Sequence, residues 1–103
     1  MSQEEIKIDI CNHALEVLKD RRSVMLPQVT ESIENQLQWL VSYFSSVSND
    51  REKLFTLTFG HYAVREIDPR EKQLVNALNA AYYVADRTRR GLKLDLKVLG
   101  LDS

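Results

Sequence analysis

The sequence predicts an all-α protein, a four-helix antiparallel bundle followed by an extended C-terminal tail. Three observations carry this. Apolar residues recur at three- and four-residue spacing over long stretches, most clearly between Val29 and Phe44 and between Leu74 and Thr88. Residues that start and stop helices bracket those stretches. Chain breakers are few, with Gly only at 60, 91 and 100 and Pro only at 27 and 69, so the elements should be long.

The first helix is expected over 3–20. Ser2 and Glu5 have the spacing of a capping box. Ile6, Ile10, Ala14, Val17 and Leu18 fall on one stripe, while Ile8 and Leu15 lie toward the other side, so this helix should touch neighbours on two faces. Arg21 and Arg22 follow where cations suit the helix dipole. The second helix is expected over 24–47, capped by Ser23 with Pro27 in its first turn, or starting at Pro27 itself. Its stripe is Val29, Ile33, Leu37, Leu40, Val41 and Phe44, and the polar run 45–50 ends it.

Residues 50–67 admit two readings. Asn49 and Glu52 are spaced as an N-cap and its N3 partner, which favours a helix. Phe55-Thr56-Leu57-Thr58-Phe59 alternates like a strand, and Gly60-His61 could turn it into a hairpin over 54–67. The helix is preferred. The alternative is an α+β fold in which that hairpin pairs with residues 92–99. The last helix is expected over 69–90, with Asp68 as N-cap, Pro69 at N1, Glu71 at N3 and Gly91 just past its end. Its buried stripe should be Leu74, Ala77, Leu78, Ala81, Ala85 and Thr88.

Residues 92–99 alternate apolar and charged at period two, as a β-strand does: Leu92, Leu94, Leu96 and Val98 against Lys93, Asp95 and Lys97. A lone strand leaves backbone donors and acceptors in need of partners. The tail could pair with the 54–67 hairpin, lie in a helix groove with its leucines as pegs, pair with a second copy, or add to a partner's sheet edge. It could also be helical or unordered. One domain spanning 1–103, with 92–103 as its tail, is expected from the length.

Lys plus Arg total 14 and Asp plus Glu total 15, a balance that argues against nucleic acid as the partner. The single cysteine, Cys11, excludes an intrachain disulfide and a thiolate zinc cluster, and it suits a cytoplasmic protein. No apolar run reaches the length of a membrane span, and the acidic start Met-Ser-Gln-Glu-Glu-Ile is unlike a signal peptide. Cys11 and His13 are two apart on a helix, so they point roughly 200° away from each other and cannot act jointly as metal ligands or as nucleophile and base. Glu4-Glu5 and Asp68 with Glu71 are explained as helix starts. No phosphate loop, nucleophile elbow, zinc helix motif or calcium loop occurs. Neither a metal nor a cofactor is expected.

The more informative residues are aromatic. Trp39 lies about 180° from the centre of the second helix's core stripe, with Tyr43 among its polar face-mates; Tyr83 sits likewise on the fourth helix, beside Arg87 and Arg90. Aromatic and Arg side chains on polar faces are what protein-binding hot spots are made of. The candidate partner-binding residues are therefore Trp39, Tyr43, Tyr83, Arg87 and Arg90, joined by Leu94 and Leu96 of the tail. The expected function is a non-enzymatic protein–protein interaction module whose partner is another protein. In size, helicity and lack of catalytic motifs the chain resembles small bacterial immunity or antitoxin-type inhibitors, and that resemblance implies an inhibitor acting by binding. The alternatives are a homodimeric structural or regulatory subunit and a small enzyme using His61.

Overall fold

The computed structural model describes residues 2–45, 51–60, 65 and 67–99. Three long α-helices dominate: α1 (Gln3–Asp20), α2 (Pro27–Phe44) and α3 (Lys72–Arg89). Short 3-10 turns occupy Arg22–Val24 and Arg51–Thr56, and Phe59, Gly60 and Arg65 are helical. The all-α expectation holds, and there is no strand among the described residues.

α1 begins as its sequence dictates: Ser2 Oγ accepts the amide of Glu5 at 3.2 Å. Its most buried line is Lys7, Cys11, Ala14, Val17 and Leu18. Ile6 and Ile10 flank that line on one side and Ile8 and Leu15 on the other, each half-buried. The helix is thus apolar on two flanks because it packs against both α2 and α3. The termini give the directions. Lys7, near the start of α1, stands 5.4 Å from the ring of Phe44 at the end of α2. Arg21, just past the end of α1, forms a two-pronged pair with Glu71 at the start of α3. Gln3 at the other end reaches Leu94 beyond α3. Both neighbours therefore run antiparallel to α1.

α2 starts at Pro27, the later of the two expected starts. Leu26 is held extended by the proline that follows it, and its carbonyl accepts the amides of Val29 and Thr30. Val29, Ile33, Leu37, Leu40 and Phe44 are buried as the spacing predicts.

The described residues of 54–67 do not have the form of a hairpin. Residues 51–56 are 3-10, and Gly60 is helical, without the positive φ that the first turn position of such a hairpin requires. Gln36 supplies the reason for the helical start. Its Oε1 accepts the amides of Thr58 (2.7 Å) and Phe59 (3.1 Å), two donors a helix N-terminus leaves open. The expected cap at Asn49 lies outside the described residues.

α3 begins at Lys72, three residues later than expected. Asp68 builds a turn instead of capping: its Oδ1 accepts the amide of Arg70 (2.9 Å) and its carbonyl that of Glu71 (2.8 Å). The Glu71 carboxylate turns to Arg21. At the other end Gly91, at φ 71°, closes the helix as predicted: the amide of Gly91 binds the carbonyl of Thr88 and that of Leu92 binds the carbonyl of Arg87.

The tail is not a strand. Residues 92–95 are extended without a ladder, and 96–99 form a turn. Asp95 causes it: its carbonyl accepts the amide of Val98 (3.1 Å) and its Oδ1 that of Lys97 (3.0 Å). The turn breaks the expected alternation, so Leu94 is buried and Leu99 half-buried while Leu92 and Val98 face outward.

Candidate protein-binding surface

Trp39 and Tyr43, one turn apart on α2, stack at 5.2 Å between ring centres and 27° between planes. The Lys53 ammonium, from the 3-10 helix that follows α2, lies 5.3 Å from the Trp39 ring centre. Both aromatics are half-buried rather than standing free on a polar face, because each packs one edge against the core. Tyr43 continues edge-on to Phe44 at 5.7 Å, and Phe44 in turn receives Lys7. Phe55, on the same 3-10 helix as Lys53, is 60% exposed, among the largest exposed apolar side chains.

The second predicted group holds the chain's own tail. The Tyr83 hydroxyl accepts the amide of Asp95 at 3.1 Å. Arg87 donates Nε to the carbonyl of Lys93 at 2.8 Å, with its guanidinium 5.8 Å from the Tyr83 ring centre. Gln3 accepts the amide of Leu94 at 3.0 Å, and the Leu94 side chain is buried in the core. Leu96 is half-buried against that core. Arg90 is exposed and pairs with Asp86 at 3.3 Å. Lys93, Leu94 and Asp95 therefore find backbone partners within the chain, and the tail behaves as the groove-docked segment among the readings open to the sequence.

A cleft joins Tyr43 of the first group to the tail. Tyr43 lines this cleft of about 460 Å³ together with Leu92 and Lys93 of the tail. Lys7 of α1 and Arg51 also line it. Arg51 donates to the carbonyls of Thr88 (3.2 Å) and Arg89 (3.0 Å), where it satisfies the open C-terminal carbonyls of α3. Sequence reasoning missed Gln3, Gln36, Arg51 and Lys53. Each meets its partner more than one helical turn away along the chain, so no local spacing marks them.

The chemistry elsewhere is quiet. Cys11 is fully buried, and burial pushes its thiol up to about 12, so it is no nucleophile. His13 is exposed, pointing away from Cys11 as their spacing requires. His61, the residue of the enzyme alternative, lies outside the described residues. Among the described residues no cluster of three or more His, Cys, Asp or Glu could hold a metal ion. No described helix is long and apolar enough to cross a membrane.

Antiparallel helices around α1, with aromatic and cationic side chains gathered at one end, define a small all-α protein. The family model described as Tsi6 matches residues 6–87, and the chain belongs to that family. It is similar to the immune protein Tsi6 of Pseudomonas aeruginosa, being 43% identical over 91 residues, which cover 86% of this chain and 96% of that protein. No solved structure matches it.

Proposed function

We propose that this chain is an immunity protein that protects the cell producing it by binding and neutralising a protein toxin in the cytoplasm. The observation that carries the reading is its likeness to a curated immune protein along nearly the whole of that protein's length. Binding rather than chemistry is the mode the side chains support. The stacked Trp39–Tyr43 pair, with Lys53 over it, supplies a large and rigid contact area at low entropic cost. In this reading Trp39 and Tyr43 form one half of the contact. The tail forms the other, with Leu92 and Lys93 presented by backbone anchors at Tyr83, Arg87 and Gln3. Leu94 acts from beneath, as the buried peg that seats the tail.

The test is co-expression with candidate toxins cloned from the reading frames that flank its gene. Growth should be restored by the wild-type chain, and the two proteins should elute together at one-to-one stoichiometry. Trp39→Ala should lose both effects while keeping the helical circular dichroism spectrum. Restored growth without a complex would overturn the binding mode.

A further inference from the structure

We infer that the cleft between Tyr43 and the tail is a carboxylate-binding socket, into which the toxin inserts an Asp or Glu side chain. The inference rests on the immunity reading and specifies the chemistry of the partner. Three cations converge on this cleft from three separate parts of the chain: Lys7 from α1, Arg51 from the 3-10 helix and Lys93 from the tail. The carboxylate among its lining groups is Glu4, which leaves the cations in excess.

Lys7 is the informative member. Among the described residues it is one of two polar or charged side chains in the buried core, at 7% exposure. A buried ammonium carries three donors and a high desolvation cost. Its oxygen partner is Glu4 at a long 3.4 Å, and the Glu4 side chain is itself 58% exposed. The Phe44 ring covers another side of it. A weakly held, solvent-exposed carboxylate is easily exchanged for one brought by a partner, which would be desolvated on docking and so bind more strongly.

Of the other cations, Arg51 is fixed by its side chain and Lys93 by its backbone. Arg51 is anchored by two α3 carbonyls, which orient its charge without neutralising it. Lys93 is exposed, but its backbone is pinned by Arg87 at 2.8 Å and by the neighbouring Leu94–Gln3 bond. A socket with prepositioned charges binds with little loss of ordering entropy. Tyr43, stacked on Trp39, forms its apolar wall and joins it to the proposed contact surface.

The test measures the dissociation constant for whichever toxin the co-expression screen identifies, using wild-type, Lys93→Glu and Lys7→Met chains. Arg51 is left intact because it caps α3. Each variant should bind on the order of tenfold more weakly or worse, as expected for losing a desolvated charge pair, and wild-type affinity should fall as salt rises. Carbodiimide coupling of the wild-type complex should join Lys7 or Lys93 to an acidic residue of the toxin. Wild-type binding that both folded variants reproduce within about twofold would overturn the socket and leave the immunity reading standing; the expected tenfold loss corresponds to about 1.4 kcal/mol. Should Lys7→Met fail to fold, Lys93→Glu decides. A wild-type chain that does not bind the toxin would overturn the immunity reading, and the socket with it.

Discussion

Gln36→Met is the substitution from which the fold has most to lose for the smallest change in shape. Methionine keeps the length of the side chain and its helix propensity, so α2 itself should be unaffected. What disappears is the Oε1 acceptor for the amides of Thr58 at 2.7 Å and Phe59 at 3.1 Å, along with the donors to Ser32 and Thr58. Thr58 is exposed and water can replace its partner, whereas Phe59 is fully buried, so its amide is left poorly served. A net hydrogen bond is worth about 1 kcal/mol and an orphaned buried donor costs about 1–3 kcal/mol, which puts the expected loss at about 2 kcal/mol. In a domain of this size that lowers the melting temperature by roughly 8–16 °C, at about 4–8 °C per kcal/mol. Urea denaturation followed by circular dichroism measures it directly. Gln36→Glu is the control: it keeps the acceptor and adds a negative charge at a helix N-terminus, so it should retain most of the stability. A loss below about 0.5 kcal/mol for Gln36→Met, or an equal loss for both variants, would refute the assignment of Gln36 as the cap of this segment.

Gly60→Ala should destabilise by about 1–3 kcal/mol by overpacking. The added Cβ would lie 2.7 Å from Cγ of Tyr82, at the root of a ring already set edge-on against Phe59 at 5.2 Å, and thermal melts would show the loss. Cys11 should resist alkylation in the native state at about pH 8 and react fully in denaturant, since burial raises its thiol to about 12. Asp68 should titrate near 2, held down first by the Arg70 side chain and then by the Arg70 amide. The ordinary value is 3.8, so what this contact adds to stability is present above that pH and is lost as pH falls toward 2. Nuclear magnetic resonance should find that Arg70→Ala returns Asp68 toward its ordinary value.

The long helices are legible in the sequence because their cores follow a simple period. In α2, Val29, Ile33, Leu37, Leu40 and Phe44 are all buried where three- and four-residue spacing puts them. Ser2 and Gly91 likewise perform the terminal roles their residue types suggest. The misreadings come from local turns that Asp68 and Asp95 make and from partners far along the chain. Asp68 forms a turn and α3 starts late, with Glu71 drawn to Arg21, 50 positions away. The strand-like alternation of 92–99 means less than Asp95, which folds the end of that segment into a turn. Tyr83 is visible in the sequence as an aromatic opposite the core stripe. That its hydroxyl receives the tail is not, because the contact joins helix and tail only after both have packed on α1. Trp39 and Tyr43 follow from helical geometry alone, while Lys53 and the cleft beside them need the tertiary fold.

The central claim is neutralisation by direct binding at the Trp39–Tyr43 end of the molecule. Calorimetric titration of the purified chain into the toxin that the co-expression screen identifies tests it most directly, with wild type and Trp39→Ala compared. A one-to-one complex that is weakened at least about tenfold by Trp39→Ala, in a variant whose melting curve remains cooperative, is the predicted result, since interface tryptophans commonly contribute about 2 kcal/mol or more. Equal affinity for the two chains would contradict the placement of the binding surface, and no heat of binding from either would contradict the account as a whole.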